Sequence, residues 1–342
     1  MTSALKPVIG IRALFASRVR VIGTGVSLLL LCSCAIAPNW YTGGSIRPPL
    51  PVETPLNEEA GRGDLIYLRL RFEWGEELLF AVDSGAQATV LDKSLEQRLG
   101  NRLGSVAIRY SPYGVGKGGV FKAPRLYLGS TRLVTGGWVA TDDLSRYPFP
   151  NSLVKGILGM DCLRHYCIQL DFADLKIRFL DPEGVTNEEL GIPLTILSNL
   201  VFVDENLLGV KGANSLIDSG DNSDGALAPI LFQQALEEQG LTNQVKRSTD
   251  TGSRKALFPK GDFGGETYPD LGLWESSGGN TIGLRFLARH LITLNFPKRK
   301  MYLKRTSVGP LVDEGSSTSA APGSGRDHEP KEDTPGLPGS NP

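Results

Sequence analysis

The 342-residue chain is short of several things. It holds four cysteines, three histidines and three methionines. Cys32 and Cys34 stand close together near the start, which leaves Cys162 and Cys167 for everything else. That pair supplies neither a disulfide framework nor the spacing of a zinc site. An oxidising compartment would permit the two to bridge, but we read them as buried free thiols behaving as small hydrophobes. No charge of one sign prevails, with 36 Lys and Arg against 37 Asp and Glu. No basic cluster is interleaved with aromatics either, so nucleic-acid binding is excluded. Long amphipathic stretches are scarce, and no apolar run reaches the ~20 residues of a membrane-spanning helix. What is present in quantity is glycine (41) and proline (22), punctuating short apolar runs. That pattern reads as mostly β, and the length favours two lobes.

The two ends differ from the middle. Residues 1–33 read as an export signal: Lys6, Arg12, Arg18 and Arg20 carry positive charge, and "VIGTGVSLLLL" follows as a short apolar core. The "LCSC" that closes it resembles the bacterial lipoprotein box, with Cys34 as the residue that would take the lipid. By the same resemblance, Ala35 after that cysteine implies the outer membrane, facing the periplasm, if the source is Gram-negative. Removing residues 1–33 takes away four positive charges and no negative one, leaving 32 basic against 37 acidic residues. Residues 34–63 are rich in proline, glycine and polar side chains and read as a flexible tether. Residues 306–342 are almost free of apolar side chains and read as a disordered tail.

Between the ends lies an internal repeat. "FAVDSGA" carries Asp83-Ser84-Gly85 and "SLIDSGD" carries Asp218-Ser219-Gly220, 135 residues later. "GMDCLRHYCIQLDF" from Gly159 recurs as "GLRFLARHLITLNF" from Gly283, 124 residues later. Average composition would place roughly 0.1 copies of Asp-Ser-Gly in a chain of this size. Each copy here also ends an apolar run and is followed by its own downstream repeat. The sequence therefore reads as two copies of one lobe, residues 64–182 and 183–305.

These residues resemble the aspartic peptidases of the pepsin and retropepsin clan. "FAVDSGA" and "SLIDSGD" match that clan's apolar-apolar-Asp-Thr/Ser-Gly signature, and "GILGMD" and "NTIGLR" match its later apolar-apolar-Gly element. The resemblance covers roughly residues 64–305. It implies an all-β, bilobal acid-protease fold, with two similar barrel-like lobes about a pseudo-twofold axis and a short helix in each. It also implies an aspartic endopeptidase, in which Asp83 and Asp218 share a proton and activate a water between them. Ser84 and Ser219 would tie the two loops together, Gly85 and Gly220 would let backbone approach the carboxylates, and Gly159 and Gly283 would pack behind them. "YSPYGVGKGGVFKAP" falls where the clan has a flap, with Tyr110, Tyr113, Gly114 and Gly116 as its candidates. Gly114, Gly116 and Gly119 also spell G-x-G-x-x-G, but strand rather than helix follows, which argues against a nucleotide site. No metal and no organic cofactor is implied. The partner would be a peptide or protein substrate, and the chain would be a monomer whose lobes pair within one molecule.

Three features stand outside that pattern. Lobe 2 places Asp221 where lobe 1 has the small Ala86. A carboxylate so near the dyad would raise its proton affinity if it pointed inward, or merely cap a turn in solvent if it pointed out. His165 and His290 do not occupy equivalent repeat positions and His328 lies in the tail, so no histidine receives a catalytic or ligand role. Trp138 and Trp274 read as core or cleft-wall aromatics. The second functional expectation is a non-catalytic relative whose cleft binds a peptide or envelope partner. A glycosidase is disfavoured, because its carboxylate pair needs ~5 Å or more of separation.

Overall fold

A computed structural model describes residues 28–31, 49–110, 114–185, 191–249 and 252–311. The tail from residue 312, the tether as far as 48, Cys34 and Tyr113 lie outside these residues. The described chain is mostly β-sheet with few helices. Its first half runs β1 (Tyr67–Phe72), β2 (Glu77–Val82), β3 (Val90–Asp92), β4 (Gly104–Tyr110), β5 (Gly114–Lys122), β6 (Trp138–Asp142), β7 (Val154–Leu158), α1 (Met160–Leu163), β8 (Cys167–Asp171) and β9 (Lys176–Leu180). The second half runs β10 (Leu200–Glu205), β11 (Lys211–Asp218), β12 (Gly225–Leu227), α2 (Pro229–Glu238), β13 (Lys246–Arg247), β14 (Arg254–Phe263), β15 (Glu266–Glu275), β16 (Asn280–Gly283), α3 (Leu284–Leu287), β17 (His290–Asn295) and β18 (Lys300–Arg305). None of the described helices is long and apolar enough to cross a membrane.

The two halves repeat one strand order. The first sheet runs β4-β5-β6-β3-β7-β2-β1, and the second runs β13-β14-β15-β12-β16-β11-β10. The directions match as well: β2 pairs parallel with β7 as β11 does with β16, and β3 pairs parallel with β6 as β12 does with β15. In the first sheet the short strand Leu28–Leu31 adds outside β4, and Leu126–Leu128 and Thr131–Arg132 add outside β1. Strands buried on both faces need near-continuous apolar runs, which "FAV" in β2 and "SLI" in β11 supply at their inner ends.

A third sheet joins the halves. The hairpin β8–β9 lies against the hairpin β17–β18, with β8 and β17 antiparallel at the centre. Residues 124 apart in the repeat, Gln169 and Thr293, are directly opposite one another there, and Gln169 Nε2 donates to Thr293 Oγ1 at 3.1 Å. Only a position on a twofold axis can face its own repeat equivalent, so this pair marks where the pseudo-twofold axis crosses the joining sheet. The halves differ most after the Asp-Ser-Gly loops. Lobe 1 places a 3-10 turn at Lys93–Arg98, whereas lobe 2 places α2, begun by Pro229 in its first turn and buried through Phe232, Ala235 and Leu236. Cys162 and Cys167 are both buried and free.

The apolar-apolar-Gly strands end where no side chain fits. A Cβ on Gly159 would lie 2.6 Å from the Ala88 carbonyl oxygen and 2.9 Å from that of Ala86, and a Cβ on Gly283 would collide with the Ser223 carbonyl. The backbone beyond each glycine closes the same bond, Met160 N to Ala86 O at 2.8 Å and Leu284 N to Asp221 O at 2.7 Å. Gly159→Ala and Gly283→Ala are therefore expected to cost about 1–3 kcal/mol each through forced backbone shifts. Gly104→Ala, where a Cβ meets nothing within 4 Å, should stay within about 0.5 kcal/mol. Urea midpoints of the three variants check the ranking.

Candidate functional site

Each Asp-Ser-Gly loop begins where a strand runs out of exposed positions. β2 passes from exposed Glu77 through half-buried Leu78 and Leu79 to buried Phe80, Ala81 and Val82, and β11 ends on four buried residues, Ser215 to Asp218. The aspartates are thus delivered into the interior, where Asp83 is 2% and Asp218 0% exposed. Burial of two carboxyls on neighbouring loops has to be compensated by donors, and the loops supply them symmetrically. Gly85 N donates to Asp83 Oδ1 at 2.7 Å, and Gly220 N donates to Asp218 Oδ1 at 3.0 Å. A Cβ on Gly85 would lie 2.5 Å from Asp218 Oδ1, and one on Gly220 2.6 Å from Asp83 Oδ1, so each glycine's backbone lies against the opposite carboxyl.

The serines lock the loops together. Ser84 Oγ donates to the Ile217 carbonyl at 2.7 Å and accepts from Ser219 N at 3.0 Å. Ser219 Oγ donates to the Val82 carbonyl at 2.9 Å and accepts from Ser84 N at 3.0 Å. Every donor and acceptor in this exchange is used once, and all of it crosses between the halves. Outside it, Gln87 Nε2 donates to Ser198 O at 2.9 Å, and Asn222 Nδ2 donates to Gly63 O at 3.2 Å. These residues sit at the same place in the two loops, so each half is tied to the other a second time.

The electrostatics break the symmetry. Burial raises the Asp83 pKa, opposed by hydrogen bonds from Gly85 N, from the Asp218 carboxyl and from Ala86 N, and the nearby charge of Asp221 raises it further. The Asp218 carboxyl thus stands within hydrogen-bonding reach of Asp83. Asp221 is buried, with its carboxyl turned back into lobe 2: Oδ1 accepts from Ser223 N at 2.9 Å and Oδ2 from the Thr281 hydroxyl at 3.3 Å. Burial raises its pKa as well. Two buried carboxyls with raised proton affinity, Asp83 and Asp221, therefore stand beside the buried Asp218.

Sequence reasoning missed the charged side chains that brace the loops from behind. In lobe 1, Asp161 Oδ1 accepts from Thr89 N at 2.7 Å and from the Thr89 hydroxyl at 2.8 Å, and its Oδ2 accepts from Gly136 N at 3.1 Å. In lobe 2, Asp224 accepts from Gly272 N and from Arg289 Nη2, both at 2.8 Å, with both side chains of the ion pair fully buried. One signal was available: the repeat aligns Asp161 with Arg285, so charges that differ between copies stand in otherwise apolar positions. His290 Nε2 lies 2.9 Å from the Tyr268 hydroxyl, and burial brings its pKa down to about 4. His165 is likewise lowered to about 4, chiefly by burial. Trp138 packs half-buried on the core, and Trp274 lies 5.0 Å beneath the Lys255 ammonium. Among the described residues no group of His, Cys, Asp and Glu is arranged to hold a metal.

The flap candidates fall on the hairpin β4–β5, where Tyr110 faces Gly114. Gly114, Gly116 and Gly119 all lie on β5, with no helix after them, so the nucleotide fingerprint has no structural basis. Gly116 sits over Asp142, whose Oδ2 would be 3.1 Å from a Cβ there and accepts from the Tyr147 hydroxyl at 2.9 Å. The equivalent hairpin of lobe 2 is β13–β14. It pairs only Lys246 with Lys255 and Arg247 with Arg254 before ending, two like-charged rungs against the seven of β4–β5. The two arms are unequal in length.

No family model and no curated protein matches this chain. Among solved structures it is similar to basic 7S globulin from soybean, at 12% identity over 76% of this chain and 96% of that one, with a TM-score of 0.48. It is similar too to conglutin gamma, a basic 7S globulin from lupine seeds, at 12% identity over the same shares and a TM-score of 0.49. These findings correct two expectations drawn from the motifs, membership of the pepsin and retropepsin peptidases and an aspartic endopeptidase activity. The physical reason the motifs misled is that Asp-Ser-Gly specifies how a strand end and its loop are built. Turnover depends on surroundings that the triplet does not encode.

Two measurements follow from this geometry. Ser84→Ala and Ser219→Ala each strip a buried N–H and a buried C=O of their partners, and each is expected to cost about 1–3 kcal/mol. The two hydroxyls bond separate backbone groups, so the double variant loses all four bonds and should cost about the sum of the two. Asp161 is held at a pKa of about 6, where burial outweighs its three donors. Its folded pKa exceeds the ordinary carboxyl value, so the folded state binds the extra proton, and stability falls as pH rises from about 4 to about 6. Two pKa units correspond to about 3 kcal/mol at most. Asp161→Asn should flatten the urea midpoint across that range, and an unchanged slope would count against this assignment.

Proposed function

We propose that this chain is a non-hydrolytic binding protein built as a bilobal aspartic-protease-like fold, which holds an extended peptide or protein segment between its halves. The observation that carries the reading is the meeting of two sheets of one strand order at reciprocally bonded Asp-Ser-Gly loops. Each sheet also carries a hairpin toward one edge, β4–β5 in lobe 1 and β13–β14 in lobe 2. An extended ligand suits such a frame, since its backbone can bond to carboxyls, loop amides and hairpin edge together.

Asp83 is pushed toward its protonated form by burial and by the nearby charge of Asp221, and a protonated carboxyl can donate a hydrogen bond to a bound backbone carbonyl. The short β13–β14 arm also leaves lobe 2 without a match for the longer β4–β5. The proposed setting is the cell envelope, with the chain held by a lipid on Cys34.

The test is to incubate the full chain with a mixed peptide library between pH 4 and 7.5, capture the bound fraction and weigh it by mass spectrometry. Peptides should be retained and recovered intact. Failure to retain any peptide would remove the binding reading. Cleavage that disappears in both Asp83→Asn and Asp218→Asn would overturn its non-hydrolytic part.

A further inference from the structure

A second recess lies on lobe 1, away from the aspartate loops. Its volume is about 280 Å³, and four cations line it: Arg98 from the end of the 3-10 turn, Lys122 from the end of β5, Arg125 from the loop after it, and Arg132 from the short strand Thr131–Arg132. Trp74, in the turn between β1 and β2, forms an apolar wall, stacked on buried Phe72 at 4.4 Å between ring centroids. Two carboxylates reach the cluster: Glu76 pairs with Arg98, and Glu73 lies 3.5 Å from Arg125. Among the described residues no carboxylate pairs with Lys122 or Arg132. Four like charges from three chain segments, around Arg98, Lys122 to Arg125 and Arg132, thus converge on one concavity, with two of them left uncompensated.

We propose that this recess binds a phosphate group carried on a small organic body. The balance of four cations against two carboxylates leaves a charge of two, which a phosphate monoester matches at neutral pH. Three of the four are arginines, whose planar forks suit phosphate oxygens. The Glu73 and Glu76 pairs are well exposed, and such pairs are weak enough to yield to a stronger anion. The Trp74 face offers the organic body a flat apolar contact. None of this uses the aspartate pair, so the site stands whether or not the peptide-binding reading does.

The same phosphate could come from a free ester or from a lipid headgroup, and two probes separate them. Phenyl phosphate is titrated against the full chain with tryptophan fluorescence and calorimetry as readouts, and vesicles of phosphatidylcholine doped with phosphatidic acid are tested by co-sedimentation. Saturable binding of phenyl phosphate identifies a free ester, and binding to the doped vesicles alone identifies a headgroup; either supports the site. Lys122→Gln and Arg132→Gln, both exposed, should each weaken binding about tenfold, and Glu73→Gln should tighten it. Trp74→Phe should remove the fluorescence response. Absence of saturable binding to both probes at millimolar concentration would overturn the proposal. So would binding that neither Lys122→Gln nor Arg132→Gln alters.

Discussion

The structure depends on the reciprocal exchange between Ser84 and Ser219. Each hydroxyl donates to a carbonyl one residue before the other half's aspartate and accepts from the amide one residue after it. A hydroxyl has one donor and two acceptor sites, so serine is small enough and polar enough to fill this position twice over. Buried hydrogen bonds of this kind add little net energy, but leaving them unmade is expensive. Their main effect is geometric. The two strand ends are held at one separation, which sets Asp83 and Asp218 on facing loops.

A second constraint lies along the same axis. Gln169 faces Thr293 across the joining sheet, and the serines face each other at the loops, so the pseudo-twofold axis is pinned by side-chain hydrogen bonds at two places. Within that frame the halves are free to diverge. Lobe 1 braces its loop with one buried carboxylate, Asp161, on backbone and hydroxyl donors. Lobe 2 uses Asp221 on Ser223 and Thr281, and a fully buried ion pair between Asp224 and Arg289. Removing one partner of that ion pair would strand a charge in the interior, whereas an apolar pair of equal volume could serve as well. Its presence therefore speaks to how lobe 2 came to be braced rather than to how stable it is.

Much of the fold was legible because the chain states it twice. Repetition of Asp-Ser-Gly and of the apolar-apolar-Gly segment marked the equivalent strands, and short apolar runs punctuated by glycine and proline marked them as β. The α2 helix was not anticipated: its buried Phe232, Ala235 and Leu236 occupy too short a run to announce a helix among β elements. The lobe 2 hairpin was also illegible, since its two-residue ladder carries no apolar alternation. The recess beside Trp74 gave no linear signal at all, because its four cations come from segments spread between Arg98 and Arg132 and meet only through the turns between β strands.

The sequence by itself determined that two aspartates would stand on duplicated strand-end loops, and that small residues would be needed around them. Those requirements are local: an apolar strand, a turn, and a glycine where a side chain cannot fit. Only the tertiary structure decided what the carboxyls experience. Proton affinity depends on burial, on donor directions and on the distance to Asp221, none of which a triplet of residues encodes. Placement of the loops came from local chemistry, and the character of the site came from the packing of everything around it.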